Sequence, residues 1–383
     1  MRLSTMKSRV ILGVAAAVLL GSCGDPKADK AQGLSVAPPK ITRIEPKSPP
    51  LKPLPGRCDN SDACGPSQKC ILNRCRKAPC RVDTDRDGDG TIEERTTYTY
   101  GGDGRVTEKT VERDGGKRKE RIGFTYDARG NVASTAATLN GKPSERTDFV
   151  YREDGKLLTK TVTKDGEVAS RTELTYDGAG NKTRTAVDAN GDGKIDQEET
   201  CAYDPRGNLI TRENRHQIPG KAFARRAYSY DDSGKMLTEK LDQNGDGLYE
   251  ETTFYQYDEN GNERVREWKS AKPTPSRPDT RVRFVFIRNA YGLVERWDVL
   301  GEKDALRSRT LYTYSEGGDL LTKDTVQVTS GKVGPVTERV TYTYDSSGAL
   351  LKEEKTAGPG GPVKERISYD YGCLGDGPRN IGS

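Results

Sequence analysis

The sequence contains a single histidine, His216, among 383 residues. It falls in a variant turn, where an exposed loop residue is the ordinary interpretation. Catalytic triads, histidine general bases and histidine metal sites all need imidazole groups, so this scarcity nearly excludes them. Carboxylates are spread along the whole chain, and no pair stands out for glycoside chemistry. The sequence therefore predicts no catalytic residue and a protein that is not an enzyme, with an envelope glycan hydrolase as the weakest alternative.

Long hydrophobic runs are also missing, since the longest, Val10 to Leu20, has eleven residues. A run this short cannot span a bilayer as a helix. It follows a positively charged start and precedes Leu20-Gly21-Ser22-Cys23, which is typical of a signal peptide. This ending resembles the lipobox of bacterial lipoproteins, and the resemblance implies cleavage before Cys23 and lipid attachment to its thiol. An ordinary secretory signal with a chance cysteine is the alternative.

Composition limits both the core and the partners. Hydrophobic residues make up 32% of the chain, which favours a thin, extended architecture over a thick core. The net charge is +5, but residues 1–22 carry three of the positive charges and no acid, so the mature chain is near +2. Positive and negative residues are dense but interspersed and form no basic arm, so no nucleic-acid partner is expected.

The sequence predicts four segments: a signal peptide (1–22), a Pro-rich linker from the lipidated cysteine (23–57), a Cys-rich module (58–82) and a repeat domain (83–383). Proline-rich chain stays extended, so the linker would hold the repeats away from the membrane. The module has too few apolar residues for a core, and an exported protein can be cross-linked by disulfides. Metal binding is the alternative, but the paired Cys-x-x-Cys pattern of zinc sites is absent. Cys201 and Cys373 raise the number of cysteines after Cys23 to an odd total. The predicted disulfide cysteines are Cys58, Cys64, Cys70, Cys75 and Cys80.

An aromatic residue recurs eleven times at intervals of 25 to 30 residues. Ten of the eleven have glycine four residues later, and nine have arginine five residues earlier. Phe286 departs from the pattern, with Ala290 at the glycine position and Gly292 just beyond. A fixed period of this size indicates a repeat array. The recurring aromatic residues are Tyr100, Tyr126, Tyr151, Tyr176, Tyr203, Tyr230, Tyr257, Phe286, Tyr314, Tyr344 and Tyr371.

Each repeat has the pattern of a β-hairpin. Leu174 and Tyr176 alternate toward one face, Asp177 to Asn181 form a turn, and a second alternating stretch follows. One hairpin alone is marginally stable, so neighbouring hairpins must pair edge to edge. We therefore predict an all-β fold: an array of about eleven antiparallel hairpin repeats in a long curved or spiralling sheet, preceded by the small disulfide-rich module.

The turn pattern Tyr-Asp-x-x-Gly-Asn occurs at residues 126–131, 176–181, 203–208 and 257–262. With these turns in phase, the chain resembles the YD-repeat family, also called RHS repeats. The resemblance implies a spiralling strip of antiparallel hairpins, which in large members of the family closes a hollow shell around a toxin. It covers about three-quarters of the chain.

Three acidic loops follow the pattern Asp-x-Asp/Asn-Gly-Asp-Gly, with an acid at position 9. Calcium prefers six to eight oxygen ligands around a tight turn, so these loops predict structural calcium sites. Plain Asn/Asp-Gly turns are the alternative. Glu199 at position 12 completes the EF-hand pattern in the second loop, but strands rather than helices flank the loops. The predicted ligands are Asp85, Asp87, Asp89, Glu93, Asp188, Asn190, Asp192, Asp196, Glu199, Asp242, Asn244, Asp246 and Glu250.

Trp268 and Trp297 each lie eleven residues after their recurring aromatic residue, so the period places them side by side on adjacent repeats. Such a pair could form a binding platform for a sugar or a protein. Other repeats hold apolar residues at this position, so core packing is the alternative.

Together these features predict a lipid-anchored, exported and calcium-stabilised β-repeat protein. Its role would be structural, adhesive or ligand-binding, at the outer membrane, on the periplasmic face or the cell surface, with an envelope glycan or protein as partner. A shortened shell or accessory component of a YD-repeat toxin-delivery system is the alternative.

Overall fold

The computed structural model describes residues 68–71, 74–216, 223–271 and 280–372, with the side chains of 68–77 outside the description. The described chain is built of antiparallel strands joined by short turns, with two 3-10 turns at Asp114–Gly116 and Glu302–Asp304. None of its helices is long and apolar enough to cross a membrane. The strands are β1 (Gln68–Ile71), β2 (Arg74–Lys77), β3 (Arg81–Asp85), β4 (Glu94–Tyr100), β5 (Val106–Arg113), β6 (Arg118–Tyr126), β7 (Val132–Leu139), β8 (Lys142–Tyr151), β9 (Leu157–Lys164), β10 (Glu167–Tyr176), β11 (Lys182–Asp188), β12 (Gln197–Tyr203), β13 (Leu209–His216), β14 (Ala224–Tyr230), β15 (Met236–Asp242), β16 (Glu251–Tyr257), β17 (Glu263–Ser270), β18 (Arg281–Arg288), β19 (Val294–Leu300), β20 (Leu306–Tyr314), β21 (Leu320–Thr329), β22 (Lys332–Tyr344), β23 (Leu350–Thr356) and β24 (Val363–Asp370).

The all-β class is confirmed, but the prediction of an open curved or spiralling sheet is wrong. β3 to β24 form one closed antiparallel barrel of 22 strands, and β1 and β2 form a separate two-stranded sheet. The barrel closes where β24 pairs with β3, from Arg366 opposite Asp85 to Asp370 opposite Arg81. Closure removes the unpaired edges that an open sheet would expose.

The closing strand comes from the opposite end of the chain. Ten hairpins run in order from β4–β5 to β22–β23, and β24 is the first strand of the eleventh repeat. Its partner β3 ends at Asp85 and leads into an acidic loop, as β11 does at Asp188 and β15 at Asp242. β3 thus occupies the place of a second strand, and it completes the eleventh hairpin from the N-terminal side.

The barrel wall is a single layer. Many of its buried apolar side chains form four small clusters, each drawn from neighbouring strands, such as Phe149, Leu157 and Leu174. In the described part of the chain, extensive packing between strands is confined to neighbours in the sheet. The low apolar content therefore suffices, because no second layer has to be covered.

The recurring tyrosines tie each repeat to the one before it. Each hydroxyl donates a hydrogen bond to the backbone carbonyl of the residue that begins the second strand of the preceding hairpin. For Tyr100, the acceptor lies just before β3. Burial raises the pKa of Tyr203 to about 12, so this hydroxyl remains a donor at neutral pH. The donor–acceptor pairs are Tyr100 to Pro79, Tyr126 to Val106, Tyr151 to Val132, Tyr176 to Leu157, Tyr203 to Lys182, Tyr230 to Leu209, Tyr257 to Met236, Tyr314 to Val294, Tyr344 to Leu320 and Tyr371 to Leu350.

The eighth repeat uses an arginine in place of this tyrosine. Arg288 ends β18, and the guanidinium Nη2 donates to the carbonyl oxygen of Glu263 at 3.2 Å. The following turn has the backbone bond from Gly292 N–H to the Asn289 carbonyl, as the tyrosine turns have. Arg288 therefore takes the tyrosine position of this repeat, two residues after Phe286. Gly292 is the glycine four residues after it.

The recurring arginines lie on the face of the sheet opposite the tyrosines. They stand five residues before the tyrosines, and successive residues of a strand point to opposite faces. Most of them meet an acid on the preceding strand. Arg309 and Asp298 are joined by two hydrogen bonds of 2.7 and 2.8 Å, and Arg339 and Asp324 by two of 2.7 and 2.6 Å. Such paired contacts fix the register of adjacent repeats more firmly than single exposed ion pairs do.

We expect Tyr176→Phe to lower the free energy of unfolding by about 1 kcal/mol, because the Leu157 carbonyl loses its 2.7 Å hydroxyl donor. Urea unfolding of the two proteins measures the difference. Tyr312→Phe is the matched control, since within the described residues its hydroxyl donates to no protein group and its loss should be nearly neutral. Equal effects at the two positions would contradict a stabilising role for the tyrosine hydroxyls.

Candidate calcium loops at one end of the barrel

The three acidic loops lie at the same end of the barrel. They connect β3 to β4, β11 to β12 and β15 to β16. Each of these loops joins the second strand of one hairpin to the first strand of the next hairpin, and in an antiparallel barrel all such connections lie at the same end. The Tyr-Asp turns lie at the other end. Three of the links at this end of the barrel therefore have the chance to share one loop geometry.

The first aspartate organises each loop. Asp85 is 1% exposed, and its two carboxylate oxygens accept the backbone N–H groups of Gly88 at 2.6 Å and Gly90 at 3.0 Å. Asp188 accepts from Gly191 and Gly193 in the same way, and Asp242 from Gly245 and Gly247. On each of these carboxylates one oxygen accepts only a single hydrogen bond and keeps a lone pair for coordination: Oδ1 of Asp85 and Oδ2 of Asp188 and Asp242.

The acid at position 9 closes each loop from the other side. The carboxylate of Glu93 accepts the backbone N–H of Arg86 at 2.6 Å, and those of Asp196 and Glu250 accept the equivalent N–H groups at 2.8 Å. Asp89 in turn accepts from the Thr91 backbone, which lowers the pKa of Asp89 and keeps it ionised. The loops are therefore held in one conformation by the acids that were predicted as ligands.

Two of the loops gather their carboxylates closely. One ligand atom from each of Asp85, Asp87, Asp89 and Glu93 lies within 4.8 Å of the others. In the third loop, the same holds for Asp242, Asp246 and Glu250. Like charges at this distance repel one another, and a divalent cation would relieve that repulsion. Hard oxygen donors in this number and spacing fit calcium.

The second loop has the same hydrogen bonds but a wider arrangement of acids. Its position 9 is Asp196, one methylene shorter than the glutamates of the other loops, and position 3 is a neutral asparagine, Asn190, as in the third loop. Burial alone would raise the pKa of Asp188, but the backbone N–H donors of Gly193 and Gly191 hold it below the ordinary value. This loop is the weakest match to a calcium site.

Glu199 does not join the second loop. It lies in β12 opposite Thr185 and is 8% exposed. Its carboxylate oxygens lie 3.4 Å from Arg212 Nε and 3.9 Å from Lys182 Nζ. The EF-hand pattern that the sequence suggested at position 12 is thus not assembled, because the strand starts at Gln197 and carries Glu199 along the wall.

A cation of the protein already touches the first loop. The guanidinium of Arg366 on β24 lies 3.3 Å from the second carboxylate oxygen of Asp85. Gly88 of this loop also lies against β24, since a Cβ at that position would stand 2.5 Å from the Val363 carbonyl oxygen. The first loop therefore contacts β24, the strand with which β3 pairs to close the barrel. No local pattern in the sequence signals this contact, because more than 270 residues separate its partners.

The two tryptophans are not brought side by side. Trp268 on β17 pairs with Val282, whereas Trp297 on β19 pairs with Phe286, four residues further along β18. The indole N–H of Trp268 donates to Glu251 at 3.0 Å, and the ring of Trp297 stacks on Phe286 with centroids 6.1 Å apart. Both side chains are partly buried. The register shift of the eighth repeat accounts for two of these four residues. The other two are the ordinary offset between repeats, since the equivalent Val162 and Val187 pair with Ser170 and Thr172 on β10.

Only part of the predicted cysteine module lies within the described residues. Cys70 and Cys75 are opposite each other in the β1–β2 pair, and Cys80 is buried with its Sγ 3.3 Å from the Asp370 carbonyl oxygen. Cys201 packs with Leu209. Among the cysteines whose side chains the structure describes, neither Cys80 nor Cys201 is free. Cys23, Cys58, Cys64 and Cys373, the signal peptide and the linker all fall outside the described residues, so cross-linking of the module stays a prediction.

No protein-family model matches the chain, and no curated protein matches it. Among solved structures, TcdB2-TccC3 without its hypervariable C-terminal region is 17% identical with a TM-score of 0.36, covering 70% of this chain and 15% of its own. The Tc holotoxin pore of Photorhabdus luminescens is 13% identical with a TM-score of 0.27, covering 69% and 18%. A porin-like protein from Bacteroides uniformis is 9% identical with a TM-score of 0.28, covering 76% and 95%. The chain spans less than a fifth of the two toxin chains, and similarities this low do not identify a family.

Proposed function

We propose that this chain is a non-enzymatic, calcium-stabilised β-repeat barrel that a lipid on Cys23 holds at the bacterial cell envelope, where it binds an envelope glycan or protein. The observation that carries the calcium part is the first acidic loop, in which four carboxylates lie within 4.8 Å of one another. Asp85, Asp87, Asp89 and Glu93 would hold the first ion, and Asp242, Asn244, Asp246 and Glu250 another. The ion would neutralise the carboxylates and clamp adjacent strands.

The barrel geometry supports a binding or scaffolding role. Its residues are arranged as a repeated single-layer wall, with the tyrosine bonds and ion pairs spread evenly around it. Evenly spread polar groups present an extended surface, whereas catalysis needs several groups that converge on one reacting atom. The lipid anchor and the location at the outer membrane or cell surface rest on the lipobox resemblance.

A shell or accessory component of a YD-repeat toxin-delivery system is the second candidate. The closed sheet favours it, because among the described residues extensive packing between strands is confined to neighbours in the wall, as is expected of a shell. Co-purification with a secreted toxin would support this candidate over adhesion.

Calcium is expected to raise the midpoint of thermal unfolding by about 5 °C, since a ligand at about 100 times its Kd stabilises the folded state by about 2.7 kcal/mol. Calorimetry of the exported chain with calcium and with chelator measures the shift. Asp89→Asn should shrink it, because one carboxylate of the first loop is lost. Asp103→Asn, in an exposed turn at the other end of the barrel, should not change it. Identical unfolding with calcium and chelator would contradict the proposed sites.

Protease treatment of intact cells tests the proposed location. Digestion of the protein on intact cells would place it outside and favour adhesion, whereas protection until the envelope is broken would place it in the periplasm. Replacement of Cys23 by serine should release the protein from the membrane fraction, and retention there would contradict the lipid anchor.

A further inference from the structure

The junction between β3 and β24 differs from every other junction in the barrel. β3 has five residues, whereas the other barrel strands have at least seven. No chain turn joins it to β24, because the two strands lie at opposite ends of the described barrel. Two ion pairs add to the backbone pairing: Arg81 to Asp370 at 3.0 Å and Arg366 to Asp85 at 3.3 Å. We call this junction the seam.

An apolar cluster covers the seam on the tyrosine face. Tyr369 and Leu350 are buried there, and Val82 of β3 packs against them. Val82 also packs against the cluster of Tyr98 and Val106 on the other side. One half-buried valine thus connects the apolar clusters on both sides of the closing strand.

This cluster contains a carboxylate. Glu353 on β23 is paired with Tyr342 on β22 and with Ile367 on β24, both members of the cluster. The hydroxyl of Tyr369 donates to Glu353 Oε1 at 2.6 Å. Tyr369 itself pairs with Val82 of β3. The side chain of Tyr369 therefore links Glu353 to β3.

Nothing described near Glu353 neutralises its charge. The titratable groups that face it are Tyr342 on β22, and Tyr369 and Glu365 on β24, and none of them is a cation. Lys355, on the same strand, is bound to Glu338 at 2.8 Å. Burial raises the pKa of Glu353, and the nearby Glu365 adds to this, although the Tyr369 hydroxyl acts in the opposite direction.

We propose that the seam is a detachable, proton-sensitive closure, in which β3 leaves β24 more readily when Glu353 is ionised. In the closed seam the carboxylate is largely shielded from water, and in the opened seam it is hydrated. The closed form therefore binds the proton more tightly than the opened form. Closure is strongest below the ordinary carboxyl pKa and weakens as the pH rises through the raised pKa of the closed state.

Hydrogen exchange of the full chain at pH 5.5 and 7.5, corrected for the intrinsic amide rates, tests this proposal. Chelator in both buffers removes any contribution of a metal at the Asp85 loop. From pH 5.5 to 7.5, we expect the protection of β3 and β24 to fall at least roughly threefold, since one unit of pKa difference corresponds to about tenfold. The protection of wall strands such as β10 should not change.

Glu353→Gln is the diagnostic variant, because the amide keeps the shape but does not ionise. It should remove the pH dependence at the seam and keep β3 protected at pH 7.5. Glu295→Gln, at an exposed position of the wall strand β19, is the matched control and should leave the pH dependence intact. The proposal is overturned if the fall in protection persists in Glu353→Gln, or if β3 is as protected as β10 at both pH values. Far-UV circular dichroism confirms that each variant is folded.

Discussion

Gly191→Ala is expected to lower the free energy of unfolding by about 4 kcal/mol. Gly191 has a φ of +78°, which costs an L-residue about 1–2 kcal/mol. A Cβ at this position would also stand 1.8 Å from the carbonyl oxygen of Val168 on the adjacent strand. That oxygen belongs to the backbone, so the loop or β10 would have to move, and forced displacements in packed regions cost about 1–3 kcal/mol.

Gly193→Ala separates these two causes. Gly193 lies in the same loop with a φ of +84°, but no heavy atom lies within 4 Å of its Cβ position. Its substitution should cost only the conformational part, about 1–2 kcal/mol. Urea unfolding of both variants measures the difference. If the two alanines destabilise the chain equally, close packing of the loop against β10 contributes nothing.

Val82→Asp is expected to destabilise the barrel by about 3 kcal/mol and to free its closing strand. The substitution places a charge between the buried Tyr98 and Tyr369 rings, where an unpaired polar group is costly. Limited proteolysis around β3, together with the unfolding midpoint in urea, measures both effects.

Val150→Asp is the control, because Val150 is a strand valine on the same barrel but is 54% exposed. Its change should be within about 0.5 kcal/mol of neutral. Unaltered protease resistance near β3 in Val82→Asp would show that Val82 does not hold the seam.

The hairpins and the acidic loops were predictable because their signals are local. The tyrosine, the turn and the glycine at +4 lie within a few residues of one another, and the loop aspartates bond to backbone groups of the same loop. Closure was not predictable in this way. β3 is five residues long and carries no aromatic residue of the repeat, and its partner β24 lies some 280 residues away.

The eighth repeat shows a second limit of periodic patterns. An aromatic pair at Phe284 and Phe286 suggested a register two residues too early, since the functional equivalent of the tyrosine is Arg288. The backbone carbonyl of Glu263 needs a hydrogen-bond donor from that position, and a guanidinium supplies one as well as a hydroxyl does. Gly292, already visible as a glycine just beyond the expected place, was the signal that could have corrected the register and separated Trp268 from Trp297.

Within the barrel, every pair of neighbouring strands is joined by a stretch of chain except β24 and β3. Under mechanical load the seam between β24 and β3 is therefore the one junction that can part without any hairpin being pulled open; we call it the clasp of the barrel. The chain N-terminal to β3 leads toward the predicted lipid anchor at Cys23, so tension between the membrane and a partner bound to the barrel would load the clasp before any hairpin. A load that parts the clasp would straighten the barrel into a strip without breaking a hairpin, and the strip could close again when the load is released.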